Sequence, residues 1–578
     1  MGVKHVIQFI QILFSLGIKF MKQKVGLLVD SLQVSKQFKD FIDMSLTANN
    51  YEITTIIVND ARILSSGPRK KIFEYIRKRG FSKFLNKFFF LILCRLEKKI
   101  ISRKLIYKNF YNRYELSEND FEVIKVSPII SKSGLSYTYD DSDLEKIKSA
   151  NLKLLVRGGR GILRGKILTC CPDGIISFHH ADNDVNRGGP AGFWEVYKKQ
   201  PRTGFIIQRL NEQLDGGEVL YKGFIRTSWF YSLNKAKLYE ISNPFLHKTI
   251  DDITSESPNL KIYPKKPYVN ALYTIPNIIQ ILNYLFKTAS IYLHKRVSSF
   301  FGRRIRWSVA YQFKNSWQKP ELGSSIKIQN PKNRFLADPF LIYRNGKHYC
   351  FVEDFDYNKS RGCISVYEVR KDGYTRLGKA LVEDFHLAYP YLFEYKGDLY
   401  MCPDTHAKND IRLYRCVDFP LKWEFVKTLI DDVSAVDTSI FFYEDKWWLI
   451  SNMDYSPVGE HYSQLHIFHN SSPLGKDWIP LKTNPAVFDP LKARNGGFIM
   501  DKSKLYRVYQ RQGFNLYGRA FGVAEIKSLS TETYSEESLF EVEPNFFPNL
   551  IGTHTFNYSE GLLVFDYANN SNKKSGVS

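Results

Sequence analysis

Apolar positions in the first part of the chain fall in short unbroken runs rather than in alternation. Lys24-Val25-Gly26-Leu27-Leu28-Val29-Asp30 is such a run, ending in a polar residue. This is the pattern of a strand buried on both faces of a parallel sheet. A helical stretch follows near 34–47 and a second run near 51–58, with further runs at 152–156, 174–178 and 204–210 separated by helix-length segments. Strands alternating with helices predict an open α/β sheet. Residues 68–108 interrupt this rhythm. They are rich in Lys and Arg and contain Phe88-Phe89-Phe90-Leu91-Ile92-Leu93, which fits an interfacial helix or a surface insertion that packs its apolar side on its own domain. Residues 6–20 are apolar but broken by Gln8 and Gln11. They are shorter than the ~20 residues of a spanning helix and lack a small-residue cleavage site, so a helix packed on the protein or lying on a bilayer is expected there.

The periodicity then changes twice. Over 271–305, Thr274 is placed to cap a helix with Pro276 in its first turn. Ile278, Ile281, Leu282, Leu285, Phe286, Ala289 and Tyr292 recur at helical spacing, with Lys287, His294, Lys295, Arg296, Arg303 and Arg304 supplying positive charge. Such a basic amphipathic helix packs between two domains or lies on a membrane surface. Beyond 305 the helical period vanishes and a repeat emerges. Units begin at Asp338, Tyr389, Asp437, Asn495 and His554, each a polar start, an aromatic strand, a tight turn and another strand. A period of about 50 to 60 residues is blade size for a β-propeller, and it would place those five starts near one central funnel. The expected fold class is therefore multidomain, a Rossmann-like α/β domain followed by an all-β five-bladed propeller. The expected division is 1–23 apolar segment, 24–250 α/β domain with the basic insertion 68–108, 271–305 connector, and 306–578 propeller.

With 578 residues, 44% hydrophobic and 24% charged, the chain is an ordinary folded protein of two or three domains. The formal net charge of +23 attracts anions. No zinc-finger spacing, aromatic RNA-binding signature or DNA-reading helix is present, so no nucleic-acid partner is expected. A membrane surface or a phosphate-bearing glycan precursor fits the charge instead. The seven cysteines are odd in number and form no C-x-x-C pair, which argues against a disulfide framework or a structural zinc and for a reducing cytoplasmic location, peripheral at most to the inner membrane face. No metal is expected.

The densest cluster of chemistry-bearing residues lies between 154 and 220. It holds Arg157-Gly158-Gly159-Arg160-Gly161, Ser177-Phe178-His179-His180, Asn186-Arg187-Gly188-Gly189-Pro190, Thr203-Gly204 and Asp215-Gly216-Gly217. A His at a strand end oriented by an Asp supplies a proton acceptor, and glycines permit close approach of a flat cofactor. This stretch resembles the catalytic half of the folate-dependent formyltransferases, whose pattern is Asn-x-His, Arg-Gly, Thr-Gly and Asp-x-Gly in this order. The resemblance implies His179 and Asp215 as catalytic residues, Gly159, Gly161, Gly216 and Gly217 around 10-formyltetrahydrofolate, and Arg187 toward the substrate. The family's Asn is Ser177 here, a shorter donor, and losing one oxyanion donor typically costs ~10² to 10³ in rate. His180, where the family has Pro, stands available to compensate.

In the repeat region, Ala337-Asp338-Pro339 resembles the first-blade motif of glycoside hydrolase family 43. Arg334-Phe335-Leu336-Ala337-Asp338-Pro339-Phe340 with Phe351-Val352-Glu353-Asp354 is similar to the N-terminal domain of the glucosamine inositolphosphorylceramide transferases. Asp338, Glu353, Asp404, His406, Asp437, Arg494 and His554 are the substrate-binding candidates of the funnel, where facing carboxylates divide acid and base roles. Arg494 and the histidines suit a phosphate or nucleotide leaving group. The leading expectation is a formyltransferase-like, one-carbon or acyl transferase acting on an amino sugar or sugar nucleotide in bacterial surface-glycan biosynthesis, with a sugar nucleotide or lipid-linked glycan as partner and peripheral membrane association. The alternative is a glycosyltransferase or glycosidase working in the funnel, the first module being accessory. A non-catalytic scaffold is the third.

Overall fold

The computed structural model describes residues 21–60, 73, 75–77, 79–257, 261, 263–264, 266–268, 270, 272–300 and 304–571. They divide into two compact units. The first takes the residues up to Trp194 with Gly204–Gly223 and Lys235–Ile281, and the second takes Glu195–Thr203, Phe224–Asn234 and the residues from Leu282 onward. The apolar segment expected at 6–20 lies outside the described residues.

The first unit is built on a seven-stranded sheet. Its strands run in the order Glu218–Arg226, Arg202–Arg209, Ile175–His179, Leu154–Arg157, Gln23–Val29, Tyr51–Asn59 and Glu122–Val126. The last five pair in parallel, while Ile175–His179 meets Arg202–Arg209 antiparallel. Val25, Leu27, Leu154, Leu155, Ile175 and Ile176 are fully buried, as unbroken apolar runs in a two-sided sheet require. The helix expected near 34–47 is Lys36–Ser45, with Phe41 and Ile42 inward. The edge strand Glu122–Val126 is absent from the sequence reading: Glu122 and Lys125 break its apolar run, and that polarity suits a sheet edge.

The basic insertion contains the helix Phe81–Ile101, and the connector contains the helix Ile278–Phe300. The latter begins at Asn277 rather than Thr274. The Asn277 side chain accepts from the Gln280 amide (2.9 Å) and the Gln280 side chain accepts from the Asn277 amide (2.9 Å). This reciprocal capping box satisfies two end donors at once and outcompetes a cap three residues earlier. Of the expected apolar stripe, Ile281 is buried, whereas Leu282, Leu285 and Phe286 remain exposed. Among the described residues no helix is long and apolar enough to cross a membrane.

The second unit is β-rich. Antiparallel sheets succeed one another along the chain over 334–381, 388–430, 435–488 and 494–542. A further sheet is composite. Arg304–Phe313, from the start of the region, pairs along its whole length with Leu562–Ser571 at its end, from Arg304 opposite Ser571 to Phe313 opposite Leu562. Polar tight turns such as Asn345-Gly346, with φ of +52° and +75°, join the first two strands of a sheet. Interiors are aliphatic and aromatic: Phe351, Val366, Leu413, Leu449, Val523 and Phe565 are fully buried.

Candidate functional site

The opening strands of the first four repeats carry a distortion near their start. In Arg334–Arg344, Ala388–Tyr395 and Ala435–Tyr443 the register shifts after Ala337, Ala388 and Val436. The next residues, Asp338, Tyr389 and Asp437, have φ of +47°, +46° and +54°. In Arg494–Asp501 the shift follows Asn495, and the positive φ falls on Gly497. A non-glycine residue held there costs on the order of 1 kcal/mol or more, and bulges re-aim side chains beside functional sites. The five opening segments also touch in succession. Phe340 packs edge-on to Tyr389 at 4.7 Å, and Tyr389 hydrogen-bonds Ser439 (3.1 Å). Asn495 donates to the Asp437 carbonyl (3.0 Å). A Cβ on Gly496 would lie 2.4 Å from the His554 carbonyl oxygen. Thr555 donates to Asp338 (2.9 Å), which returns to the first repeat.

At the end of these segments lies a cavity of about 280 Å³ lined by Asp338, Glu353, Asp404, Asp437, Arg494 and His554, and walled by Trp307, Phe335, Tyr462 and Tyr517. Six of the seven sequence candidates therefore meet in one place. His406 does not line it: its backbone amide donates to Asp404 (2.8 Å) and its ring meets His461. Glu353 lies opposite Ala337 on the neighbouring strand, and Asp404 lies opposite Ala388 in the same way.

The charges are strongly coupled. His554 stands between two carboxylates, its Nε2 3.4 Å from Asp338 and its Nδ1 2.7 Å from Asp566. Asp566 is fully buried and also accepts from the amides of His554 (2.9 Å), Thr555 (3.1 Å) and Asp338 (3.2 Å). Burial alone would lower the His554 pKa, but the carboxylates, Asp566 first, raise it above the ordinary imidazole value. Asp338 is pushed up to about 6, by burial against the opposing pull of His554. Asp404 is pushed up to about 7, by burial and then by the Asp437 charge. Glu353 is raised well above the carboxylate range, by burial and then by Asp338 and Asp404. Arg494 pairs with Asp437 (2.6 Å), which also accepts from Gln510 (3.0 Å), and it lies over the rings of Tyr517 and Tyr462. Asp338, His554 and Asp566 bring ligand atoms within 4.8 Å of one another, close enough to hold a cation; each is already engaged with its neighbours.

Trp307, Phe335, His386, Tyr462, Tyr517 and Asp566 escaped the sequence reading. Trp307 precedes the first repeat, and Tyr462 and Tyr517 follow the strands that carry the repeat signal. Asp566 had a signal: it directly follows the Leu562-Leu563-Val564-Phe565 run recognised in the fifth unit.

The first unit brings His179 and Asp215 together, Nδ1 to Oδ2 at 3.4 Å, and His179 Nε2 lies 2.9 Å from the Asn186 carbonyl oxygen. Asp215 sits at φ +47° in its turn. Other candidates are placed differently from expectation. Ser177 is buried and donates to the Phe178 carbonyl (3.2 Å), so it offers no donor to a reacting carbonyl. His180 is stacked on Tyr239 (3.8 Å) and Phe178 (4.6 Å), and burial lowers its pKa to about 3. It is a neutral packing residue and no substitute for the missing amide. The space beside Gly159 holds the Asp30 carboxylate, and that beside Gly161 holds the Tyr137 ring, 2.6 Å from a built Cβ. Those two glycines make room for the chain's own side chains. Gly216, Gly217 and Arg187 line a separate cavity of about 390 Å³ with Lys222 and Lys266.

Comparison with known proteins bears chiefly on the second unit. Residues 321–555 match the family described as glucosamine inositolphosphorylceramide transferase 1, N-terminal. A relative with that name from Arabidopsis thaliana is 40% identical over 213 residues, which is 36% of this chain and 27% of the plant protein. Among solved structures, glycinamide ribonucleotide transformylase 1 from Symbiobacterium toebii aligns over 42% of this chain and 95% of its own, at 11% identity and a TM-score of 0.27. Zg3597, a family 117 glycoside hydrolase of Zobellia galactanivorans, aligns over 45% and 90%, at 14% identity and a TM-score of 0.29. Likenesses so distant transfer no activity, and the expectation of formyl transfer gains no support from them. The expected bacterial setting is likewise unsupported, since the named relative is from a plant. What the matches establish is that residues 321–555 are similar to the N-terminal part of proteins named as glycolipid transferases, and that the chain spans about a quarter of the length of those relatives.

Proposed function

We propose that the β-rich region is a five-bladed propeller and that its funnel acts on a glycan, as a glycosyltransferase or glycosidase. The succession of contacts between opening segments and the pairing of Arg304–Phe313 with Leu562–Ser571 support the propeller. One observation carries the activity: a small cavity gathers Asp338, Glu353 and Asp404, whose pKa values are pushed up, against aromatic rings. Carboxyl groups whose environments separate their proton affinities divide acid from base work. Glu353, raised well above the carboxylate range by burial and its neighbouring carboxylates, donates its proton to the leaving oxygen as the bond from the anomeric carbon breaks. Asp338, ionised above about 6, takes the proton of the attacking hydroxyl as the new bond forms. Trp307, Tyr462 and Tyr517 supply apolar faces for a sugar ring. The names of the relatives point to a glucosamine-bearing inositolphosphorylceramide as the substrate class.

The test is turnover of glucosamine-containing glycolipids and aryl glycosides by the full chain. Asp338→Asn is expected to lose turnover by about 10³-fold or more, a loss of the order reported for key catalytic groups, whereas His179→Ala retains it. Retention by Asp338→Asn with loss in His179→Ala would move the chemistry to the first unit.

A further inference from the structure

The helix Phe81–Ile101 buries one side and leaves a large apolar face uncovered. Phe90, Leu93, Glu97 and Ile101 face inward. On the opposite side Phe81, Phe88, Phe89, Leu91, Leu96 and Ile100 are exposed, Phe81 to 60%. They are not scattered. Phe81, Phe84, Phe88 and Phe89 follow one another in ring contact at 6.3, 6.3 and 5.6 Å, forming an aromatic ridge along the helix. The turn that follows, Leu105–Tyr107, exposes Leu105 to 87%. Isolated exposed apolar residues are ordinary, but a contiguous patch marks a surface that is covered in use.

The charges indicate what covers it. The helix carries Lys83, Lys87, Arg95, Lys98 and Lys99, and its one acid, Glu97, is buried. Arg103 and Lys104 extend the positive run. The face offered to solvent is thus aromatic over residues 81–89, with exposed Arg95, Lys98 and Lys99 set among Leu96 and Ile100 in its second half, and the helix exposes no acid. At 21 residues it is about 30 Å long, and it is too polar to span a bilayer. The helix Ile278–Phe300 has the same make-up, exposing Leu282, Phe286 and Leu293 beside Lys287, Lys295 and Arg296.

We infer that Phe81–Ile101 lies in the headgroup layer of an anionic bilayer, its phenyl ridge in the acyl boundary and its basic side chains against lipid phosphates. This docking is independent of the chemistry assigned to the funnel. It presents the protein to lipid-borne ligands whether the funnel turns them over or not. Flotation of the full chain with phosphatidylcholine vesicles, with and without phosphatidylserine, tests it. Binding is expected only with phosphatidylserine present and is expected to fall as salt rises. Lys98→Gln with Lys99→Gln should weaken it about thirtyfold. Phe81→Ser with Phe88→Ser and Phe89→Ser, all at exposed sites, should weaken it about a hundredfold or more, with melting curves like the parent's. Absence of vesicle binding overturns the inference, as does binding unaltered by both variants. A concentration-dependent dimer that the Phe variant dissolves also overturns it, since the ridge would then be covered by a second copy.

Discussion

Asp404→Asn sets the electrostatics of the funnel against its stability. The carboxylate is pushed from 3.8 to about 7, first by burial and then by the charge of Asp437. A raised folded pKa means that the folded state holds the proton more tightly than the unfolded chain. Its contribution is complete below 3.8 and is lost as pH rises through about 7. Taken whole, that gap corresponds to roughly 4 kcal/mol, at about 1.4 kcal/mol per tenfold change. The side chain borders an open cavity and accepts the His406 amide (2.8 Å), and both relieve its charged form. About 1–3 kcal/mol is the expected effect at pH 8 after that discount. An amide does not titrate and its oxygen still accepts from His406. The variant should therefore be more stable than the parent at pH 8 by that amount, and the advantage should fade toward pH 4. Urea unfolding read by tryptophan fluorescence measures this, because every tryptophan but Trp194 lies in the second unit. Turnover should move the other way. The Asp404 charge helps to hold the proton on Glu353, so the alkaline limb of the pH–rate profile should shift to lower pH. A variant less stable at pH 8, or a gain that does not vary with pH, would refute the reasoning.

Two further substitutions probe buried charge in the same unit. Arg507 has no exposed surface and forms a two-pronged pair with Glu536 (2.7 and 2.6 Å); Arg507→Met leaves that buried carboxylate with the Tyr534 hydroxyl but without its guanidinium, and should cost about 3–5 kcal/mol in urea unfolding. His554→Gln removes a cation held by Asp566 and Asp338. Because the folded His554 pKa is raised, its contribution is complete below 6.5 and is lost above its folded value, so the loss of about 3 kcal/mol measured near pH 6 should shrink as pH rises through that folded value.

A stabilising change that impairs turnover is the signature expected of a functional site. Asp338 and Asp437 occupy strained backbone, and Asp404 and Glu353 are buried beside like charges. None of these arrangements favours the fold, and their coincidence in one cavity is what distinguishes it from the structural pairs elsewhere, such as Arg334 with Asp354 (2.5 Å).

Local pattern determined much of this protein. Unbroken apolar runs such as Val25-Gly26-Leu27-Leu28-Val29 read as strands covered on both sides, and they marked the α/β sheet. The polar start, aromatic strand and turn recurring from Asp338 to His554 marked successive sheets and placed three of the residues that line the cavity, Asp338, Asp437 and His554, because a repeat puts equivalent residues in equivalent places. Tertiary structure decided what depends on neighbours distant in sequence. Ser177 and His180 look like reactive groups until packing ties one to the Phe178 carbonyl and stacks the other on Tyr239. Gly159 and Gly161 look like a cofactor cradle until Asp30 and Tyr137 fill the space beside them. Asp566 becomes the partner of His554 only when the last strand folds back. Proton affinity, hydrogen-bond partners and open volume are properties of surroundings assembled from remote segments, and no local pattern encodes them.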